Sequence, residues 1–536
     1  MERRDFLKLA SAMAVSAAAP SVTHAEETSA NKPNIIVLMA DQWRTGLTKG
    51  SGYPLDTCPT FDAMAARGVR FDRAYCTTPL CVPSRISLIT GRWPEAHRVR
   101  MNLQPEDAYY EKDLFQVAKE SGYRTGLAGK NHTYLKKDRL DFWQEYMHGG
   151  GYKAPNAPKE YAEFEKWLGS LHFNVALEPA PFGVEAQLPY RIVNSAMEFI
   201  DMPSEQPFLV QVSFPEPHDP EQVPAPYWNM FPPESVPGRC GNGETYKQLG
   251  DRAKWLHSLQ EDHFPTEKHW RRYVSNYLGA LRMIDDQVKR LLDHLQAKGK
   301  LDNTVIVYTA DHGDYLMDYG LARKGVGLPD CLARIPMVWT GYGVHPSNAG
   351  KTAHVSNADV MPTLCEVMGA AIPHGVQGRS LWPVLQGERY PAEEFRSVYA
   401  GVGVGGLYYE ESDHIPTSIS HDKKRPGSWD ELNKVTMSGN EKMVRMGEWK
   451  LIYDMMGYGQ LYNLKEDHCE LHNLFNKPKF AAEQSRLMAE LAMWVIRTQD
   501  ALPTGPQNGK YQTKWPPEHN WYSPYRHGSA PEPYIP

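Results

Sequence analysis

Four predicted strands in this chain each end, within a few residues, on a group that can carry a charge or a proton. Asn34 to Met39 runs into Asp41, Arg124 to Ala128 into Lys130, Phe208 to Phe214 into His218, and Asn303 to Tyr308 into Asp311. The first is a continuous apolar run, the pattern of a buried strand, and Phe208 to Phe214 is apolar enough for a central one. Helical patterns separate them: Thr60 to Arg67, Ser84 to Thr90, Asp113 to Glu120, Arg191 to Ile200 and His269 to Lys298. The last is the longest and repeats Leu278, Leu281, Ile284, Val288, Leu291 and Leu295 along one face. Strands alternating with helices predict an α/β fold with one large mixed, mostly parallel sheet flanked by helices. Ligands of such sheets collect at the carboxyl ends of the strands. The four polar residues are therefore expected to share a site.

Further along, Val444 to Tyr453 and Gln460 to Leu464 predict a small antiparallel sheet, closed by a helix over Phe480 to Arg497. The expected organisation is a leader over 1–25, a catalytic domain over 33–400, a long insertion or loop over 401–440, a small C-terminal α+β subdomain over 441–498, and a tail over 499–536. The tail is rich in Pro and carries Tyr511, Trp515, Trp521, Tyr522, Tyr525 and Tyr534. A solvated segment seldom holds so many rings, so it is expected to pack on the body. In the leader, Arg3-Arg4-Asp5-Phe6-Leu7-Lys8 precedes an apolar stretch, and Thr23-His24-Ala25 offers small residues for cleavage. This pattern resembles the twin-arginine export signal, which implies the twin-arginine machinery as a partner and a periplasmic or secreted protein. No Cys near that point calls for a lipid anchor, and no apolar run is long enough to span a membrane. A net charge of −6 offers nothing to nucleic acid. Seven Cys in 536 residues do not make a disulfide framework, and the odd count leaves at least one without a partner in its own chain.

The most specific signal is Cys81-Val82-Pro83-Ser84-Arg85 followed by Leu88-Ile89-Thr90-Gly91-Arg92. It resembles the signature of type I sulfatases, the formylglycine-dependent members of the alkaline-phosphatase-like superfamily. Gly129-Lys130-Asn131-His132, Pro217-His218-Asp219-Pro220, and Thr309-Ala310-Asp311-His312-Gly313-Asp314 with Lys324 beyond it resemble further elements of that family, in the same order. Arg445 to Tyr453, Leu461 to Leu464 and Glu470 to Leu474 resemble its C-terminal segment. The resemblance implies that Cys81 is oxidised to formylglycine by a maturation enzyme. Asp41, Gln42, Asp311, His312 and the modified Cys81 would then hold a divalent cation, Ca²⁺ with Mg²⁺ and Mn²⁺ as alternatives. Two adjacent Asp are commoner where this chain has Asp41 and Gln42. Asn131 stands where Trp is frequent. His97, in Gly91-Arg92-Trp93-Pro94-Glu95-Ala96-His97, also fits the family pattern and is read evenly as support or as substrate contact.

The residue types suit sulfate-ester hydrolysis. A hydrated aldehyde has two hydroxyls: one attacks sulfur, and the other later expels sulfate by re-forming the carbonyl, the logic of covalent catalysis. A cation beside it lowers the pKa of the attacking hydroxyl. By resemblance, Arg85 holds the hydrated aldehyde, Lys130 and Lys324 bind sulfate oxygens, His218 protonates the leaving alcohol, and His132 takes the second hydroxyl's proton. The implied function is an exported sulfatase acting on sulfated carbohydrate. The alternatives are a phosphonate or phosphate ester hydrolase, a small-molecule aryl sulfatase, and an inactive glycan-binding relative. A zinc hydrolase is disfavoured, since no His-Glu-x-x-His or Cys-x-x-Cys occurs. For the sugar reading, Tyr408, Tyr409, His414, His421, Lys423, Lys424 and Arg425 in the 401–440 segment are the candidate contacts.

Overall fold

In chain order the strands are β1 (Asn34–Ala40), β2 (Val69–Arg70), β3 (Arg73–Tyr75), β4 (Arg124–Gly129), β5 (Phe142–Glu145), β6 (Phe208–Phe214), β7 (Thr304–Ala310), β8 (Met337–Gly341), β9 (His354–Ser356), β10 (Ser397–Gly405), β11 (Gly439–Met446), β12 (Trp449–Asp454) and β13 (Gly459–Asn463). The computed structural model describes residues 32–150, 157–263, 266–390, 392–410, 412–413, 432 and 434–499. The leader over 1–25, the 499–536 tail beyond its first residue, and His414, His421, Lys423, Lys424 and Arg425 of the expected insertion lie outside the described residues.

Seven strands form one sheet in the order β2-β8-β7-β1-β6-β4-β5. The five from β7 to β5 run parallel, and β8 runs antiparallel to β7 and β2. β1, β6 and β7 are buried along their whole length, as strands with so little polar surface must be when helices cover both faces. The helix Trp270–Ala297 buries its Leu, Ile and Val stripe and packs on the helix Leu188–Asp201, which lies over β4 and β6. Each such side chain removed from water stabilises the fold by about 1.5–3 kcal/mol.

The register sets the ends level. Ala40 pairs with Phe214 on one side and Ala310 on the other, and Gly129 pairs with Ser213. Backbone bonds continue the ladder past the strands, from Asp41 N–H to the Phe214 carbonyl at 3.0 Å and from Lys130 N–H to the Ser213 carbonyl at 2.8 Å. Gly129 makes this approach feasible: its φ is +114°, and a Cβ there would lie 1.9 Å from the Ser213 carbonyl oxygen. Asp41, Lys130 and Asp311 thus emerge side by side.

The second sheet is antiparallel in the order β10-β11-β12-β13, with the helix Ala481–Thr498 packed on it. It holds four strands where the apolar pattern marks two segments. Gly401–Gly405, expected as loop, completes β10, and Gly439 and Asn440 open β11. Those glycine-rich ends lack alternation and are strand only because each pairs with the other. Val444 to Tyr453 is a hairpin turning at Gly447, whose φ is +60°. The catalytic-motif helix also differs from expectation, running Cys81–Thr90 rather than from Ser84. Pro83 falls in its first turn, where a missing N–H leaves no bond unmade.

Lys450, fully buried, fastens the small sheet to the body between Asp330 at 3.2 Å and Glu470 at 2.7 Å. A disulfide joins Cys240 to Cys469, a bond that persists in oxidising compartments. Cys58, Cys76, Cys81, Cys331 and Cys365 are buried free thiols. Among the described residues no helix is long and apolar enough to cross a membrane.

Candidate active site

Asp41 and Asp311 leave adjacent strands at one level, both fully buried, so their carboxylates meet. The helix Cys81–Thr90 descends onto them with every residue buried and Cys81 at its N-terminus. Ser84 seats it: Oγ donates to the Asp311 carbonyl at 2.5 Å and accepts from Asn357 Nδ2 at 2.7 Å. Arg85, one turn past Cys81, sends Nε to Asp311 Oδ2 at 2.8 Å, Nη2 to Asp41 Oδ2 at 3.1 Å and Nη1 to Ser213 Oγ at 2.8 Å. Only a guanidinium offers donors in such a rigid fork. Burial pushes the Asp41 carboxyl up, but the Lys130 and Arg85 cations outweigh it and hold the group well below the usual carboxylate range.

The other carboxylate oxygens face Cys81 and His312. Cys81 Sγ is 3.6 Å from Asp41 Oδ1 and 3.2 Å from His312 Nε2. His312 Nε2 lies 3.7 Å from Asp41 Oδ1 and 3.8 Å from Asp311 Oδ1. His312 Nδ1 donates to the Gly313 carbonyl at 2.9 Å, which turns the Nε2 lone pair inward. Two hard oxygens and an imidazole nitrogen, converging with Cys81 within 4.8 Å of one another in a buried site, fit a divalent cation. Gln42, at φ +64°, is engaged on every side. Its N–H reaches Asp311 Oδ1 at 2.9 Å and its carbonyl accepts from the Tyr277 hydroxyl at 2.6 Å. Its Nε2 donates to Asp314 Oδ2 at 2.6 Å and its Oε1 accepts from Lys324 Nζ at 2.6 Å.

Two lysines complete the charge. Lys130, fully buried, donates to Asp41 Oδ2 and lies 2.5 Å from His148 Nε2. Lys324 lies 3.0 Å from His218 Nε2. His218 Nδ1 in turn meets the Asp219 carbonyl at 3.1 Å, and Asp219 pairs with Arg323 at 3.4 Å. The rings of His148 and His218 stand 4.0 Å apart, so the two Lys–His pairs meet ring to ring. His132, in left-handed backbone at φ +48°, is within electrostatic reach of Lys130, Arg85, Asp41 and Asp311.

Burial, then Lys130 and Arg85, push the His132 imidazole down to about 3. Burial pushes His218 and His148 well below the ordinary histidine range, reinforced by His148 and Lys324 in the first case and by Lys130 in the second. All three are therefore neutral at pH 7. His312 differs: burial opposes its charge, but Asp311 and Cys81 raise it.

The structure thus gathers Asp41, Gln42, Cys81, Arg85, Lys130, His132, His218, Asp311, His312 and Lys324. It places His97 outside them. That ring is fully buried, with Nε2 at 3.1 Å from Ser87 Oγ and 3.2 Å from the Pro83 carbonyl, and Nδ1 accepting from Val99 N–H at 3.2 Å, so it braces the Cys81 helix. Two neighbours carried no role in the sequence. Asp314 holds the Gln42 amide, with burial pushing its carboxyl up to about 7. His148 belongs to no recognisable motif, and its one signal is its place before Gly149-Gly150-Gly151.

Comparison with known proteins agrees with this chemistry. The family model Sulfatase matches residues 33–370. The arylsulfatase of Clostridium perfringens is 27% identical over 484 residues, covering 84% of this chain and 91% of that protein. The N-acetylglucosamine-6-O-sulfatase of Bacteroides thetaiotaomicron is 24% identical over 531 residues, covering 87% of each. The crystal structure of the phosphonate monoester hydrolase of Agrobacterium radiobacter shares the fold, with a TM-score of 0.70 at 22% identity over 87% of this chain and 96% of that one.

The paired carboxylates generate the first prediction. Asp311→Asn removes one hard ligand and leaves Arg85 with less compensation in a dry site. Calorimetric titration of chelator-stripped protein with Ca²⁺, Mg²⁺ and Mn²⁺ should show affinity lower by more than about tenfold. Unfolding of the stripped protein should show a loss of about 3–5 kcal/mol. Unchanged affinity would place the ion elsewhere.

Proposed function

This chain belongs to the sulfatase family and is a hydrolase of sulfate esters, and from that premise we propose an exported enzyme that cleaves sulfated carbohydrate through a formylglycine made from Cys81. The observation carrying this reading is the position of Cys81, buried at a helix N-terminus, 3.6 Å from Asp41 Oδ1 and beside His312. Asp41, Asp311 and His312, with Gln42 adjoining, would hold the cation, Ca²⁺ in preference to Mg²⁺ or Mn²⁺. Once in place, the oxidised residue and the ion supply a hydroxyl nucleophile of lowered pKa and polarise a sulfate oxygen.

The other groups divide the remaining work. Lys130 and Lys324 meet the sulfuryl oxygens, where negative charge must be balanced as the S–O bond breaks. Arg85 keeps the two carboxylates aligned. His218, its Nδ1 held on Asp219, offers Nε2 to the leaving oxygen. An anion placed against Lys324 offsets the charge that depresses His218, and so raises its pKa toward the range of an acid. His132 stays neutral, the form a base requires. The leader motif and the Cys240–Cys469 disulfide support export to a periplasmic or extracellular setting. For the carbohydrate, support comes from the N-acetylglucosamine-6-O-sulfatase relative and from Tyr408 and Tyr409 in the 401–440 segment.

Three outcomes test this. Protein made without a maturation enzyme should keep a thiol at Cys81 by peptide mass analysis and be nearly inactive, and Cys81→Ala should be inactive with that enzyme present. Full activity with an unmodified Cys81 would refute the nucleophile.

His218→Ala should slow alkyl sulfates about 10²–10⁴-fold, yet nitrophenyl sulfate far less, because that leaving group needs little protonation. Equal losses on both would remove His218 from the acid role.

A panel of sulfated oligosaccharides, nitrophenyl sulfate and the nitrophenyl monoester of phenylphosphonate, scored for released sulfate or nitrophenol, should favour a saccharide. Preference for the aryl ester would make this a small-molecule sulfatase, and preference for the phosphonate an ester hydrolase of phosphorus.

A further inference from the structure

His148 sits where no motif points and touches the groups on both sides of the reaction. It is the first of two tip residues in a closed turn after β5, in which Met147 N–H bonds to the Gly150 carbonyl and Gly150 N–H to the Met147 carbonyl, both at 2.8 Å. Gly150, at φ +87°, fits this turn as few other residues could. The imidazole is therefore placed by a short, doubly bonded hairpin rather than by a loose loop. Its Nε2 lies 2.5 Å from Lys130 Nζ, and its ring centre lies 4.0 Å from that of His218, the two planes tilted by 35°.

The two neighbouring histidines differ in what their second nitrogen meets. His218 Nδ1 has the Asp219 carbonyl at 3.1 Å, which secures a proton there. His148 Nδ1 is buried and meets no hydrogen-bond partner among the described residues. An ammonium can only donate, so Lys130 obliges His148 Nε2 to accept and places the proton on Nδ1, where no described residue receives it. The arrangement is strained in its hydrogen bonding, and an incoming anion relieves it. Once Lys130 turns to the anion, the ring is free to carry its proton on Nε2, which becomes a donor facing the same anion. A buried acceptor left at Nδ1 is better tolerated than a buried donor.

We propose that His148 is a further catalytic residue of this enzyme, donating a hydrogen bond from Nε2 to the sulfuryl oxygen that Lys130 binds. The inference rests on the sulfatase reading and adds to it a third imidazole, on the sulfuryl side of the scissile bond rather than the alcohol side. That side is what separates it from His218. A contact to the sulfuryl group is shared by every ester of sulfate, whatever its alcohol.

The experiment uses matured full-length protein carrying His148→Ala, His148→Phe or His148→Gln. Phe keeps the ring contact with His218 without a hydrogen bond, whereas Gln keeps a donor without the ring. Expected is a fall in kcat/KM of about 10–100-fold for both Ala and Phe, the effect of losing a hydrogen bond to a charged group, with partial recovery in Gln. The factor should be equal for nitrophenyl sulfate and an alkyl sulfate. Calorimetric affinity for inorganic sulfate should fall in the same order, in proteins whose melting temperatures match the parent. The proposal is overturned if Phe retains turnover and sulfate affinity, which would make the ring mere packing. It is overturned equally if the loss is concentrated on the alkyl ester. Should the parent cleave neither ester, the sulfatase reading fails, and sulfate affinity across the variants still decides the role of His148.

Discussion

Two buried carboxylates repel each other unless a cation stands against both, and here that cation is Arg85. Asp41 and Asp311 end neighbouring parallel strands at one level, so the sheet register forces them together. The guanidinium takes Oδ2 of each at 3.1 and 2.8 Å and leaves Oδ1 of each facing Cys81 and His312. Most of the site follows from this division. The outer oxygens are spent on cations of the protein, and the inner ones face a space shaped for a cation from outside. Because Arg85 stands one helical turn past Cys81, the same bonds that quiet the carboxylates also fix the depth of the helix and the place of the thiol.

Much of this was legible in the sequence, for a physical reason. Strands covered on both faces must be mostly apolar, so β1, β6 and β7 announce themselves, and a charged residue directly after such a strand emerges at the carboxyl end of the sheet. Asp41 and Asp311 are recognisable on those grounds alone, whereas Lys130 follows the less apolar β4 and is marked by its motif. What escaped was whatever depends on pairing rather than on local composition. β10 ends in Val404 and Gly405 and has little strand character of its own; β11 supplies it. The disulfide joins cysteines 229 residues apart, a distance no spacing rule covers. His148 hangs from β5, an edge strand whose residues are only half buried and so leave no apolar signature. Gln42 was singled out, but its tie to Asp314 and Lys324 arises only when two strand-end loops face each other.

The histidines show how the same environment can serve opposite duties. A dry pocket with two ammonium groups disfavours any further positive charge, so His132, His148 and His218 are neutral while the pocket holds no anion. Neutrality suits His132 as it stands. For His218, in the acid role proposed for it, neutrality must be reversed; burial and the neighbouring His148 lower it first, and an anionic substrate would offset the further push from Lys324. In that role acid strength would come only with an anion in place, which would tie proton delivery to occupancy.

Lys324 reaches the site on a loop, and loops hold position only if something holds them. The segment from Asp311 to Asp330 is pinned internally by Gly313 N–H on the Leu332 carbonyl at 2.8 Å and by Tyr315 N–H on the Arg323 carbonyl at 2.8 Å. Its far end is pinned from outside. Asp330 accepts from Lys450 at 3.2 Å and from the Tyr75 hydroxyl at 2.6 Å, while Glu470 accepts from the Asp330 N–H at 2.6 Å. Lys450 stands on β12, and the disulfide anchors Cys469, next to Glu470, to the body. The small sheet contributes none of the ten residues first singled out for the site. Its buried charges instead hold the loop from which Lys324 reaches Gln42 and His218, and removing one partner from such a dry network leaves the others uncompensated. The C-terminal sheet is in this sense part of the active site's support.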